Sequence, residues 1–141
     1  VNDTLVTLQG YVGATPKLRP AGETVVADFR LGCTPRHYHR ATETWVEDQT
    51  QWFTVTAWRW LGENCAASLQ RGDAVVVHGR MRLNTWADAN GVEQQTWEIV
   101  ATSVGHDLNR GTSTFVKPPR PTPTVDETVG DGSAPEAVVA A

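Results

Sequence analysis

Between Gln51 and Gly62 the chain reads Gln-Trp-Phe-Thr-Val-Thr-Ala-Trp-Arg-Trp-Leu-Gly. Successive side chains of a strand point to opposite faces, so Phe53, Val55 and Ala57 share one face and suit a core. Trp52, Thr54, Thr56, Trp58 and Trp60 share the other. That face carries aromatics separated by threonines where water ordinarily meets charge. Two readings stand. The tryptophans are buried filler, in a strand covered on both sides or in a subunit interface. Alternatively they form a stacking platform, because flat rings spaced along a strand can each take one nucleobase. A second stretch carries cations in the same alternating way. Val75, Val77, Gly79, Met81 and Leu83 take one face, and Val76, His78, Arg80, Arg82, Asn84 and Trp86 take the other, which suits contact with an anion. The basic residues are ten arginines against two lysines, and arginine both stacks on rings and forks onto phosphate.

Other chemistries find few residues. No Ser/His/Asp set or carboxylate pair falls together, and no glycine-rich phosphate loop precedes a helix, so an enzyme is not expected. Cys33, His37, His39 and Cys65 lack the paired short spacing of a structural zinc site. No metal or other cofactor is expected, and the two cysteines read as small buried hydrophobes. His78 suits either a phosphate contact or plain surface. Trp45 suits either a further contact or packing within its hairpin. Trp60 and Trp97 read as structural, and Arg59 as a rim residue or the partner of a carboxylate.

These residues need a β framework, and the chain supplies its punctuation. A strand runs from Leu5 to Val12 with Val6, Leu8, Gly10 and Val12 on one face, and Thr15-Pro16 breaks it. Val25 to about Thr34 follows, with Val25, Ala27, Phe29, Leu31 and Cys33 inward and Asp28, Arg30 and Thr34 outward. Residues 35–48 form a long polar excursion, a loop or hairpin of the kind that is usually functional or disordered. After the tryptophan strand, Leu61, Cys65 and Leu69 recur at helical spacing in a helix from Leu61 to Gln70, with Gly72 just past its end. Asp73 to Leu83 makes the next strand, and Asn90-Gly91 signals a hairpin turn. The last strand, Gln94 to Val104, has an ambiguous inward face. Three strands, a helix and two strands is the order of the five-stranded Greek-key oligonucleotide/oligosaccharide-binding (OB) barrel. The predicted fold is all-β with one short helix.

Composition changes near residue 116. Five of the eight prolines lie beyond it and no aromatic does, too little apolar surface to offset the entropy of ordering. The expected division is a folded domain over 1–116 and a disordered, proline-rich tail over 117–141. Nothing in the chain is an apolar run of ~18 residues, so no membrane span is expected. Val1-Asn2-Asp3-Thr4 does not open a secretory signal, which makes the cytoplasm the expected compartment. Net charge is −4, which weighs against a nucleic-acid partner and is partly offset by the arginines.

Over about residues 1–110 the chain resembles the bacterial single-stranded-DNA-binding proteins. Val1-Asn2 with Leu5-Val6 and Gly10-Tyr11-Val12-Gly13 looks like their N-terminal strand. Gln49-Thr50-Gln51-Trp52 resembles their Gln-Thr-Glu-Trp element, and Leu69-Gln70-Arg71-Gly72-Asp73 their helix end. Gly79-Arg80-Met81-Arg82-Leu83 with Trp86 looks like their Gly-x-Leu-x segment leading into a tryptophan. The resemblance implies sequence-independent binding and protection of single-stranded DNA in replication, recombination or repair, and assembly as a homotetramer. It places base stacking on Tyr38, Trp52, Trp58 and Trp86; Tyr38 stands for the usual tryptophan and Trp58 where many members have phenylalanine. Arg82 matches a basic position, its neighbours Asn84 and Thr85 do not, and Arg30, Arg36 and Arg80 complete the candidate contacts. Val104 to Val116 resembles the extension after the barrel in actinobacterial members. The chain ends Ala137-Val138-Val139-Ala140-Ala141 without the family's acidic tip, which implies a paralogue and sets aside the replication partners that the tip recruits. Two other functions compete: an OB-fold protein-interaction or primosome-type module, and a small hydrolase or oligosaccharide-binding domain, for which no residues stand out.

Overall fold

The computed structural model describes residues 2–119. Residues 117–119 carry no regular structure, and the rest of the expected tail lies outside the described residues. The elements in order are β1 (Thr4–Val12), β2 (Lys17–Ala21), β3 (Thr24–Cys33), β4 (Arg36–His39), β5 (Thr44–Glu47), β6 (Gln51–Trp58), α1 (Arg59–Ser68), β7 (Ala74–Ala87) and β8 (Glu93–His106). The sheet runs β1-β7-β8-β6-β3-β2, and a further pairing of β1 with β3 closes it. Tyr11 opposite Gly32 and Val12 opposite Leu31 make that joint. The closed ring therefore holds β1, β7, β8, β6 and β3, the OB barrel expected from the strand order. Closure pairs the two ends of the ring, and β2 is left as the one edge strand of this sheet among the described residues.

Alternation along the ring strands fills the interior. Val12, Phe29, Leu31, Phe53, Val55, Val75, Val77 and Ile99 are buried together, and Cys65 and Leu69 from the helical segment join them. The helix starts two residues earlier than its apolar spacing indicates. Arg59 turns the chain out of β6 with φ 58°, a left-handed conformation uncommon for a residue with a Cβ. Gly62 then seats α1 so closely on the barrel that a Cβ there would run into the carbonyl of Ala57.

Three features depart from the expected outline. β2 is a strand beyond the expected ones; it hangs on the outer edge of β3, with Pro20 opposite Val25. Proline is tolerated there because an edge strand need not donate along its free side. The polar excursion is an ordered hairpin of β4 and β5 that, among the described residues, packs against no other helix or strand. The ambiguity of β8 is a β-bulge. His78 faces Ser103 but Gly79 faces Ala101, so Thr102 is the extra residue and its hydroxyl donates to the His78 carbonyl at 3.2 Å. Ile99 and Ala101 point inward before the bulge, and Val104 packs against the core after it, so the apolar period slips by one.

The expected Asn90-Gly91 turn joins β7 and β8, with Gly91 at φ 79°. Asp88 holds it: one carboxylate oxygen accepts from the backbone N–H groups of Asn90 and Val92, and the other from the Gln94 amide. The Val92 bond foremost holds this carboxyl below its ordinary range. Both strands are 14 residues long.

Candidate nucleic-acid interface

The outward faces of β3, β6, β8 and β7 form one curved surface, and the register shows what stands beside what. Trp52 on β6 lies opposite Gly32 on β3. Its indole rests on two glycines: a Cβ built on Gly32 would come within 3.0 Å of the ring, and one on Gly13 within 2.7 Å. Absence of those two Cβ atoms lets the ring lie flat on the barrel wall. The Arg30 guanidinium sits over it, 5.2 Å from the centroid, within cation–π range. Trp52 stays 48% exposed, whereas Phe53, one residue on, is 9% exposed. Of the two readings of this strand, filler covered on both sides is thereby ruled out within the chain.

The next row crosses four strands as Arg30, Thr54, Glu98 and Arg82. Glu98 is bound at both oxygens, accepting from Arg82 Nε at 2.8 Å and from the Thr56 hydroxyl at 3.0 Å. Beyond it lies Asp28, Thr56, Val100 and Arg80. Arg80 has no carboxylate within ion-pair distance among the described residues, while Asp28 is taken by Arg19 of β2 at 2.6 Å. Lys17 and Arg19 thus extend the surface past β3, an addition invisible without β2.

The four predicted stacking residues are dispersed, not clustered. Trp58 ends β6 and is half-exposed. Trp86 stands on the long β7–β8 arm, and its indole N–H donates to the Thr96 hydroxyl at 2.9 Å. Tyr38 is on the separate hairpin, where it meets Trp45 edge-on with centroids 5.7 Å apart, and Arg36 lies over the Trp45 ring at 5.5 Å. Trp52 with Arg30, and Arg80 with Arg82, are brought onto one surface; Tyr38 and Arg36 stand apart from it. Among the described residues none of the four rings stacks on another.

Two tryptophans expected as structural are not buried. Trp60 is 75% exposed. Trp97 is half-exposed and lines an apolar cleft of about 620 Å³ with Val6, Leu8, Gln51, Trp52, Phe53 and Met81. Arg59, expected to pair with a carboxylate or lie at a rim, has no ion pair among the described residues. Glu98 was the residue of this surface most effectively hidden in the sequence, because the bulge made the inward face of β8 ambiguous.

The two thiols differ in setting. Cys65 is buried in the core and Cys33 is only partly covered. Among the described residues no three histidine, cysteine or acidic groups gather as a metal site. Burial disfavours the thiolate and pushes Cys65 up to about 11, with a smaller upward shift at Cys33. A thiol raised in the folded state contributes stability that is fully present below the ordinary thiol value, about 8.5, and is lost as pH rises through about 11. At pH 8 a disulfide-exchange reagent should therefore titrate Cys33 slowly and Cys65 only after denaturant is added. Immediate release of both equivalents from the native protein would contradict the buried placement of Cys65.

Comparison with known proteins places this arrangement. Residues 3–107 match the model of the single-strand binding protein family. The chain is 44% identical over 113 residues to single-stranded DNA-binding protein 2 of Tropheryma whipplei, covering 79% of this chain and 74% of that one. It is 42% identical over 121 residues to single-stranded DNA-binding protein 2 of Streptomyces avermitilis, covering 84% and 74%. The crystal structure of the small single-stranded DNA-binding protein from Streptomyces coelicolor superposes with a TM-score of 0.73 at 37% identity, over 79% of this chain and all of that one. Among the described residues no helix is long and apolar enough to cross a membrane.

Proposed function

The chain belongs to the single-strand binding protein family, and from that premise we propose that it binds single-stranded DNA without reading its sequence and without catalysing a reaction. The observation that carries this is Trp52: an outward ring, bedded on Gly13 and Gly32, with the Arg30 guanidinium over it, a flat cation that a base can displace or stack beside. A base stacking there buries apolar surface on a ring that is already fixed, so little ordering entropy opposes the contact. Trp58, Trp86 and, on the hairpin, Tyr38 take further bases, and their separation lets one strand reach them in turn. Arg30, Arg36, Arg80 and Arg82 are the basic contacts along its path.

Protection of single strands during replication, recombination or repair is the role this binding serves, in the cytoplasm. Assembly as a homotetramer belongs to the same proposal; light scattering should give a mass near four times the 15.4 kDa of the chain. The competing reading, a protein-interaction or primosome-type module using the same aromatic face, predicts weak or no response to DNA. Titration with oligothymidylate should quench tryptophan emission, and duplex DNA at the same concentration should not. Quenching by neither would sink the proposal.

Salt dependence locates the phosphates. Arg80 carries an uncompensated charge on the surface, so an adjacent phosphate should release about 0.7 counterion there. Arg80→Ala should weaken oligothymidylate binding and make the plot of log affinity against log salt shallower by about 0.7. An unchanged slope would place the strand away from β7.

A further inference from the structure

The most telling group on the surface is an anion. Glu98 lies in the middle of the row Arg30–Thr54–Glu98–Arg82, on a face whose one other carboxylate, Asp28 in the next row, is taken by Arg19 of β2. A carboxylate at the centre of a DNA-binding surface opposes phosphate, and its setting shows that it is held there. Its side chain is 18% exposed against 61% for Arg82. Both oxygens are engaged, one by Arg82 Nε and one by the Thr56 hydroxyl. Thr56 is itself buried on the outward side of β6, so the Glu98 carboxylate is held from below as well as by Arg82.

Resting on the single-stranded DNA reading above, we propose that Glu98 makes the centre of the face a track for bases and confines phosphates to its margins, by neutralising Arg82. The ion pair has no net charge, so a phosphate beside it releases no counterion and gains no net attraction. Arg82 still presents the N–H groups of its two terminal nitrogens beyond the one bond spent on Glu98. Held in plane by that bond, it is a donor and a flat surface for a base. Phosphates go to cations without such a partner: Arg80 on one side of the pair, Arg30 and Lys17 on the other.

The test is the salt slope of oligothymidylate binding in four proteins: wild type, Glu98→Gln, Arg82→Gln and the double variant. Glu98→Gln keeps the length and an oxygen acceptor but releases the Arg82 charge. It should steepen the slope by about 0.7, which tightens binding about eight-fold at ~0.05 M salt and about three-fold at ~0.2 M. Arg82→Gln uncovers the carboxylate and should weaken binding with a shallower slope. Removing both charges removes a neutral pair, so the double variant should return to the wild-type slope.

If Arg82 instead grips a phosphate in the native complex, Glu98→Gln will leave the slope unchanged and the double variant will be shallower than wild type by about 0.7. That pattern overturns the proposal while wild-type binding leaves the DNA reading intact. A wild-type protein that ignores oligothymidylate overturns both. Melting curves identify any variant that fails to fold, and Glu98→Met, of similar length and uncharged, then takes the place of the amide with the same slopes expected.

Discussion

Phe53→Ala should cost about 3–5 kcal/mol of folding stability, and Trp52→Ala, one residue away, almost none. The two rings differ by the face of β6 they occupy. Phe53 fills the barrel interior with Leu31, Val55 and Ile99, so truncation leaves a cavity that the closed ring cannot collapse around. Trp52 lies outside, on the glycine bed, half in water already. Its loss should appear in the complex, as about 1–3 kcal/mol of weakened binding to single-stranded DNA and reduced quenching. Thermal melts and fluorescence titrations of both variants give the comparison. Unfolding by Trp52→Ala with tolerance of Phe53→Ala would invert the parity of β6 and move the binding face inside the barrel.

A single methyl group should do comparable damage at Gly79. It sits where β7 steps past the bulge in β8, and a Cβ there would run into the Val100 carbonyl and the Ala101 Cα, both backbone atoms. Neither can rotate aside as a side chain would. One pairing of the ring must therefore widen, and Gly79→Ala should cost about 3 kcal/mol, lowering the melting temperature by about 10–20 °C. Gly105→Ala is the control, since nothing lies within 4 Å of a Cβ at that site on β8. Equal melting temperatures for the two variants would mean that the close approach at Gly79 is not as described.

How much of this was legible in the chain follows from where side chains differ across a strand. β6 could be read because its two faces carry unlike residues, Phe53-Val55-Ala57 against Trp52-Thr54-Thr56-Trp58. The barrel followed from the order of elements. β2 could not be read, because Lys17, Leu18, Arg19 and Pro20 are exposed on both sides and an exposed edge imposes no alternation. The face of β8 could not be read because one extra residue, Thr102, breaks a period of two. That slip hid Glu98, and with it the neutralisation of Arg82, which had the look of a free cation. Arg30 over Trp52 depends on pairing between strands more than twenty residues apart, and no local pattern encodes that register.

The joint between β1 and β7 also governs when the barrel can exist. Thr4 pairs with Met81 and Tyr11 with Ala74, and β6 meets β8 in the ring's parallel pairing, Thr54 with Glu98. Sheets closed by contacts so distant along the chain fold slowly, in about milliseconds to seconds, because loop closure must precede any gain from pairing. During synthesis β1 therefore emerges long before its main partner, and the ring stays open until β8 has left the ribosome. For that interval the apolar sides of Val6, Leu8 and the Trp52 strand face the cell uncovered. Apolar surface left open for that interval is what makes incomplete chains prone to association before the native contacts form.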